Sequence, residues 1–199
     1  MKFNPKNYTH WIFDIDGTLT HAIHDFDAIR MQLGLPEGRP ILEALADLPA
    51  AEAQPLHEQL NEIELEIAHQ STAAPGAASL LESLIENGCK LGILTRNNAP
   101  NITATLQAAG LDHFFTAETL ISRDCAAPKP NPDGIHLLLE HWQADSGTAV
   151  MVGDHLFDLD TGRNAGTATI HVDRSGIFPH QQVADLSVQE LDELLPSLK

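Results

Sequence analysis

The sequence is poor in cysteine. Its 199 residues include only two, Cys89 and Cys125, too few for the disulfide framework of a small secreted domain. It also has no CxxC pair and no cysteine–histidine spacing of the zinc type. With 43% hydrophobic residues, the chain is expected to fold around an ordinary apolar core.

Positive charge is scarce. Lysine and arginine total 11 against 28 acidic residues, which gives a net charge of −17. Nucleic acid and anionic membrane surfaces would be repelled, so neither is expected as a partner. A small anionic substrate can still bind where a metal ion and a few cations lie in its site.

Long apolar runs are also missing. None approaches the roughly 20 residues that span a bilayer, and the first ten residues contain no signal-peptide core. We therefore expect a soluble, non-secreted protein of the cytoplasm. The sequence does not predict its oligomeric state.

Short apolar runs alternate with amphipathic stretches. The runs predicted as strands are Trp11–Phe13, Lys90–Leu94, Phe114–Ser122, Ala149–Val152 and Thr167–Val172. The predicted helices are Ala77–Glu86, Ala99–Ala109, Pro132–Trp142 and Ser187–Leu195, the last with Ser187 as its N-cap. Strands that are apolar without alternation are typical of parallel sheets buried on both faces. The pattern predicts an α/β fold with a doubly wound, mainly parallel sheet, a Rossmann-like core.

Residues 21–71 lack any strand signal. Helical patterns cover about 25–33, 40–48 and 51–69. We interpret this segment as a small helical cap inserted after the first strand. The catalytic core would then comprise residues 1–20 and 72–199.

Two aspartates follow the first predicted strand, in the segment DIDGTLT. Ligands of parallel α/β sheets bind at the carboxyl ends of the strands, so Asp14 and Asp16 are candidate site residues. One carboxylate can attack phosphorus, and the second can exchange protons with the leaving group and with water. Gly17 would let the backbone turn sharply there. The alternative is a solvated Asp-Gly turn.

Other polar residues follow later strands. Thr95 and Arg96 end the second strand before a helix, where a phosphate can be held. Lys129 lies between prolines and could pair with both a carboxylate and a phosphate. Asp154 ends another strand and suits a hard divalent metal ion, and Asp158 is one helical turn further on. A solvated loop lysine and a helix-capping aspartate are the plain alternatives, but a shared position at strand ends favours one site.

The histidines form no ligand pattern. None of the 11 falls in an HxH or HxxEH motif. His24 in the cap and His155 beside Asp154 are the two that could reach a substrate or orient a ligand.

Four segments in this order, DIDGTLT, LTRN, KPNP and GDHLFDLDTGRNAG, resemble the four motifs of the haloacid dehalogenase-like hydrolases. The chain looks most similar to the phosphoglycolate-phosphatase-like branch, whose helical cap lies between the first and second motifs. The resemblance implies a Mg²⁺-dependent phosphatase that hydrolyses small phosphate monoesters through an aspartyl-phosphate intermediate.

The resemblance also implies roles for individual residues. Asp14 would be the nucleophile and Asp16 the general acid and base. The phosphate-binding residues would be Thr95, Arg96 and Lys129. Mg²⁺ would be bound by Asp14, the backbone carbonyl of Asp16 and Asp154. Asp158 would be a supporting residue that orients Lys129 or metal-bound water.

Other activities of the family fit less well. Asp16 argues against a dehalogenase, and the absence of lysine between Lys6 and Lys90 argues against a phosphonatase. A phosphosugar mutase of the β-phosphoglucomutase kind must hold a second phosphate through the cap, where Arg30 and Arg39 are the permanent cations. An inactive binding module would be expected to have lost one of Asp14, Asp16, Lys129 and Asp154, and all four are present.

Overall fold

The computed structural model describes residues 3–198, which form an α/β fold around a parallel sheet. Its strands are β1 (His10–Phe13), β2 (Lys90–Leu94), β3 (Leu120–Ile121), β4 (Ala149–Gly153), β5 (Ala168–Val172) and β6 (Leu186–Val188). Their order across the sheet is β3-β2-β1-β4-β5-β6. Every neighbouring pair is parallel. The predicted fold class is confirmed.

The helices lie between the strands and cover both faces of the sheet. They are α1 (Phe26–Gln32), α2 (Ile41–Ala46), α3 (Ala50–Ala68), α4 (Ala77–Glu86), α5 (Ala99–Ala109), α6 (Asp133–Trp142) and α7 (Leu156–Ala165). Among the described residues, no helix is both long and apolar enough to cross a membrane.

The central strand β1 shows why the sheet is apolar throughout. Trp11 and Phe13 point into a cluster that includes the buried leucines of α4. Ile12 points to the opposite face, into a cluster with Ile135 and Leu138 of α6. Successive side chains of a strand alternate between faces, so a strand covered on both sides needs an unbroken apolar run.

The C-terminal prediction was wrong. Residues 187–195 were expected to form one helix, but Ser187 lies within β6, where it pairs with His171. A 3₁₀ helix follows only at Leu191–Ser197, capped by Glu190 with Glu193 three residues on. Val188, buried beside the end of β5, holds this segment extended because sheet pairing overrides the local capping signal.

The predicted strand at Phe114–Ser122 is much shorter than expected. Two 3₁₀ turns, Asp112–Phe114 and Ala117–Thr119, take up four of its nine residues. Only Leu120 and Ile121 pair with β2. This edge strand is the last one on its side of the sheet, and its brevity limits the exposed backbone available for pairing with other chains.

Residues 21–71, called the cap segment below, carry α1, α2 and α3. These helices pack on an apolar cluster of their own, whose buried members are Ile29, Leu33, Ile41, Leu45 and Leu60. The chain enters and leaves the segment side by side. The His21 amide donates to the Thr72 carbonyl at 3.1 Å, and the Ala74 amide donates to the Leu19 carbonyl at 2.8 Å. The two chain segments that connect the cap segment to the core are therefore hydrogen-bonded to each other.

Candidate active site

The residues singled out at the strand ends meet at the carboxyl ends of the central strands. β1 pairs with both β2 and β4 in register, with Phe13 beside Ile93 and Val152. Parallel strands in register present their carboxyl ends together. Asp14 continues the pairing, since its amide donates to the Val152 carbonyl at 2.9 Å.

Lys129 links two carboxylates in the interior. Its Nζ lies 2.7 Å from Asp14 Oδ1 and 2.5 Å from Asp158 Oδ1. All three residues are buried, with exposed fractions of 4% for Lys129, 8% for Asp14 and 1% for Asp158. Charged groups this deeply buried require partners, so the lysine and the two aspartates form one interdependent unit.

The environment shifts the protonation equilibria of this unit. Burial raises the pKa of Asp14 well above its usual range; Lys129 opposes the shift, and the nearby aspartates add to it. Burial would lower the pKa of Lys129, but the charges of Asp14 and Asp158 and its hydrogen bonds to them outweigh this and raise it. The lysine is therefore a permanent cation beside Asp14.

Asp158 is fixed by the start of α7. Its Oδ2 accepts a hydrogen bond from the His155 amide at 3.0 Å, closing a capping box at the N-terminus of the helix. Gly153 makes room for it, because a Cβ there would lie 2.2 Å from the Asp158 Cβ. One carboxylate thus caps the helix and orients Lys129.

Asp154 completes an acidic cluster. Carboxylate oxygens of Asp14, Asp154 and Asp158 all lie within 4.8 Å of one another. Burial, followed by the charge of Asp158, raises the pKa of Asp154 to about 7. Gly17 is packed so tightly on this side chain that a Cβ would lie 2.2 Å from Asp154 Oδ2.

The donor set of this cluster fits a hard divalent cation. Its atoms are all carboxylate oxygens, which Mg²⁺ and Ca²⁺ prefer. Three carboxylates face one lysine, so their negative charge is not fully compensated within the cluster. Burial and, after it, mutual repulsion raise the pKa values of Asp14 and Asp154, and a bound cation would relieve the repulsion.

Asp16 is held by a residue that the sequence analysis gave no role. Asn97 Nδ2 donates to Asp16 Oδ2 at 2.7 Å. On the other side, His24 Nδ1 lies 3.6 Å from Asp16 Oδ1, which is too far for a hydrogen bond. The signal for Asn97 was present in LTRN, two residues beyond Thr95, but its partner lies 81 positions away in the chain.

Thr95 and Arg96, although adjacent in the chain, lie in different environments. Thr95 is buried, and its hydroxyl accepts a hydrogen bond from the Asn97 amide at 3.2 Å. Arg96 Nη2 donates to both carboxylate oxygens of Glu43, a cap residue, at 2.6 and 2.7 Å. Its guanidinium also lies 4.9 Å from the centroid of the Phe157 ring. Its assignment as a phosphate ligand stays a prediction.

Comparison with known proteins gives a consistent picture. The family model described as haloacid dehalogenase-like hydrolase matches residues 24–172. Pyrophosphatase PpaX from Listeria innocua is 30% identical over 184 residues, which cover 82% of this chain and 82% of that protein. Phosphoglycolate phosphatase from Caulobacter vibrioides is 32% identical over 186 residues, covering 80% of this chain and 77% of that one.

Solved structures share the fold. The crystal structure of a hydrolase from Pseudomonas syringae superimposes with a TM-score of 0.79 at 23% identity. The match covers 94% of this chain and 96% of the other. At this identity the likeness supports the fold, and the chemistry must be argued from the residues themselves.

Proposed function

Because the chain belongs to the haloacid dehalogenase-like hydrolases, we propose that it is a Mg²⁺-dependent phosphatase that hydrolyses small phosphate monoesters. Asp14 acts as the nucleophile, and Asp16 acts as the general acid and then as the general base. Thr95 and Lys129 bind the phosphoryl group, and Arg96 is an outer phosphate ligand. The names of the two relatives support the reaction class, a transfer of phosphate to water.

The observation that carries this proposal is the buried contact between Lys129 and Asp14, 2.7 Å long, beside two further carboxylates. A carboxylate can attack an anionic phosphate ester only where positive charge offsets the repulsion between them. Lys129 supplies such a charge at the nucleophile itself. A purely structural ion pair would not need the additional, uncompensated carboxylate of Asp154.

The first half of the reaction breaks the ester bond. A carboxylate oxygen of Asp14 attacks phosphorus in line with the ester oxygen, forming an acyl phosphate as the phosphorus–oxygen bond breaks. Asp16 gives its proton to the departing oxygen. Since Asn97 donates to Oδ2, Oδ2 is an acceptor and the acidic proton belongs on Oδ1. Among the described residues, Oδ1 has no hydrogen-bond partner.

The second half restores the enzyme. Asp16, now a carboxylate, takes a proton from a water molecule as that water attacks the phosphorus of the acyl phosphate. The acyl-phosphate bond breaks, inorganic phosphate leaves, and Asp14 regains its carboxylate. Asp158 keeps Lys129 directed at Asp14 throughout, because it bonds the same ammonium group.

Asp14, Asp154 and the backbone carbonyl of Asp16 would hold the metal ion. Bound Mg²⁺ supplies positive charge that stabilises the negative charge on the phosphoryl oxygens during in-line transfer. The assignment of Asp14 and Asp154 rests on their clustered carboxylate oxygens and on the excess of negative charge there. Asp158 is left out because its two oxygens already bond Lys129 and the His155 amide, and the Asp16 carbonyl is included by resemblance to the family.

The contacts of the cap segment favour a phosphatase over a phosphosugar mutase. A mutase would need a cap cation for the second phosphate. Arg30 donates to Asp27 and, at 3.3 Å, to the carbonyl of Arg39. Arg39 in turn pairs with Asp47. Both permanent cations of the cap segment therefore have carboxylate partners within it, and so a bisphosphate would compete with those carboxylates.

The proposal is tested by incubating the purified protein with Mg²⁺ and a panel of phosphate monoesters. The panel includes phosphoglycolate, sugar monophosphates and bisphosphates, and also pyrophosphate, with released phosphate as the readout. We expect turnover of small monoesters and its loss on chelation. Preference for pyrophosphate would overturn the monoester assignment, and preference for a bisphosphate would revive the mutase.

The matched variants are Asp14→Asn and Asp112→Asn. Both change one carboxylate to an amide, but Asp112 is exposed in the turn after α5. Asp14→Asn should abolish turnover while the protein remains folded, because a neutral amide cannot form the acyl phosphate. Asp112→Asn should retain it. Undiminished turnover by folded Asp14→Asn would disprove the mechanism.

A further inference from the structure

Arg174, which follows β5 outside the four sequence motifs, bonds the backbone of the loop that carries Asp16. Its Nη1 donates to the Gly17 carbonyl at 2.7 Å, and its Nη2 donates to the Thr18 carbonyl at 3.2 Å. The two partners lie 157 and 156 positions away in the chain. A planar guanidinium with several fixed donors is suited to holding two adjacent carbonyls at once.

The turn that bears Arg174 is itself well fixed. The Asp173 carboxylate accepts hydrogen bonds from the Ser175 amide at 3.0 Å and the Ser175 hydroxyl at 2.7 Å. Its second oxygen accepts one from the Phe178 amide at 2.7 Å. The Asp173 amide continues the sheet by donating to the Val188 carbonyl at 2.9 Å. Arg174 therefore extends from a rigid support at the carboxyl edge of the sheet.

The loop that it reaches is held from the opposite side by one carbonyl. The Ile15 carbonyl accepts from the amides of Thr18 at 3.2 Å and Thr20 at 3.0 Å. The peptide between Gly17 and Thr18 thus has its N–H bonded to Ile15 and its C=O bonded to Arg174. With both ends bonded, the plane of this peptide is fixed.

That peptide determines how closely the loop approaches the acidic cluster. Gly17 has φ +84° and lies directly against Asp154, and the Thr18 hydroxyl lies 3.5 Å from Asp154 Oδ1. A change in the peptide plane would move both groups relative to Asp154. It would also move Asp16, the residue immediately before Gly17.

We propose that Arg174 is a positioning residue that holds the Asp16–Thr18 backbone in its reactive arrangement. The proposal rests on the proposed function, since the reaction whose geometry Arg174 maintains is phosphate transfer at Asp14. Arg174 acts through the two carbonyls, and its contact with Glu190, at 3.4 Å and partly exposed, is secondary. Small displacements of positioned groups can lower rates about a hundredfold.

Steady-state kinetics of Arg174→Met tests this role. We expect kcat to fall about a hundredfold, as for a misplaced reacting group, with KM within about twofold of the wild type. Arg174→Lys, which can still donate to one carbonyl, should recover part of the rate. Glu190→Gln removes the ion pair but keeps the carbonyl contacts and a side-chain acceptor for the 3₁₀ helix, and it should retain full activity.

A second measurement does not depend on turnover. Hydrogen exchange of the metal-free protein should be at least about tenfold faster in residues 15–20 of Arg174→Met, as expected for losing a hydrogen bond to a charged donor. Exchange in β4 of Arg174→Met should be unchanged, and so should exchange in residues 15–20 of Glu190→Gln. If the wild type proves to have no phosphatase activity, the proposed function fails, but this exchange pattern still tests the hold on the loop.

Three results would overturn the proposal. A rise in KM with unchanged kcat would make Arg174 a substrate ligand. Equal losses in Arg174→Met and Glu190→Gln would locate its role in the ion pair. Unchanged exchange in residues 15–20 would show that the loop keeps its conformation without the arginine. If Arg174→Met fails to fold, Arg174→Lys serves for both measurements.

Discussion

Two regions of the molecule both contain ion pairs but differ in their exposure to water. One is the strand-end cluster of Lys129, Asp14, Asp154 and Asp158. The other is the junction, where α2 and α3 of the cap segment meet α5 and the loops around it. At the strand ends, Lys129 pairs with two aspartates whose side chains are 11% and 1% exposed. At the junction, Arg96 pairs with Glu43, and these side chains are 20% and 39% exposed. Coulombic attraction and desolvation both grow as water is excluded. The cluster is therefore suited to chemistry, and the Arg96–Glu43 pair to a contact that can be broken.

The apolar residues divide in the same way. The cluster of the cap segment shares no member with the two clusters that cover the sheet. Across the junction, polar groups join α3 to α5 and its N-cap: Asn98 Nδ2 donates to Asn61 Oδ1 at 2.9 Å, and Asn101 Nδ2 donates to Glu64 Oε2 at 3.1 Å. Opening along this surface would hydrate these polar groups and leave the apolar cluster of the cap segment intact. We therefore expect the cap segment to move as one unit.

The largest combined effect on stability and turnover is expected from Lys129→Met. Removing one partner of a buried charge group leaves Asp14 and Asp158 uncompensated, which should lower the free energy of unfolding by about 3–5 kcal/mol without metal. Loss of the cation should lower kcat by about a thousandfold. Thermal unfolding of the metal-free protein and phosphate release measure the two losses.

Lys90→Met is the control for this variant, because Lys90 begins β2 and is exposed. It should change neither quantity appreciably. A Lys129→Met protein with wild-type stability would contradict the interpretation of the cluster as one interdependent unit.

The next effect concerns the proton transfer proposed for Asp16. Asp16→Asn should lower kcat about a hundredfold for sugar phosphates, whose leaving oxygen must be protonated. For p-nitrophenyl phosphate the loss should be far smaller, since that leaving group departs without a proton. Parallel kinetics on the two substrates give the comparison. Equal losses would show that Asp16 supports the loop and does not act as an acid.

The candidate site was predictable from the sequence where its residues follow strands. Asp14, Thr95 and Asp154 each end an apolar run, and the meeting of these ends follows from the parallel sheet. Asn97 and Arg174 were not assigned roles, because their partners are 81 and 157 positions away. Only the folded chain brings such groups together.

The same distinction, between local signals and partners distant in the chain, explains the errors in the predicted fold. Helices α4 and α5 matched their predicted bounds, since apolar periodicity and a following glycine are local signals. The helix predicted at Ser187 failed because β6 forms only by pairing with β5. A three-residue strand has too little sequence of its own to outweigh a capping motif.

A smaller effect is expected at the junction from Arg123→Met. Arg123 Nη1 lies 3.0 Å from Glu64 Oε2, and both side chains are 10% exposed. The variant leaves Glu64 buried without its cation, at a cost of roughly 2 kcal/mol. We expect faster hydrogen exchange in α3, with kcat changed only a few-fold.

This loss should depend on pH. Burial raises the pKa of Glu64, and Arg123 opposes that shift, so the variant should raise the pKa further. A raised carboxyl pKa favours the folded state when the group is protonated, and this advantage is lost as pH rises through the folded-state pKa. Arg123→Met should therefore be less destabilised at pH 5 than at pH 8. Arg39→Met, which breaks the exposed pair with Asp47, should cost less than about 1 kcal/mol at either pH.

The smallest effect is expected from Glu43→Gln, and it tests the predicted phosphate-binding role of Arg96. The variant removes the carboxylate that faces Arg96, so the guanidinium can attract a substrate phosphate more strongly. Exposed pairs are worth at most about 1 kcal/mol, and KM for a monophosphate should fall about two- to threefold. High salt should abolish the difference because it screens exposed charges.

Asp47→Asn provides the matched control, since it removes the same charge from a cap pair that involves Arg39. A general effect of the acidic cap on anionic substrates would lower KM equally in both variants. A specific effect through Arg96 would lower it only in Glu43→Gln. If neither KM changes while hydrogen exchange in α2 becomes faster in Glu43→Gln alone, Arg96 serves to hold the cap segment on the core. Its assignment as a phosphate ligand would then be wrong. The division between the strand-end cluster, where catalysis is proposed, and a junction that holds the cap segment on the core would be sharper.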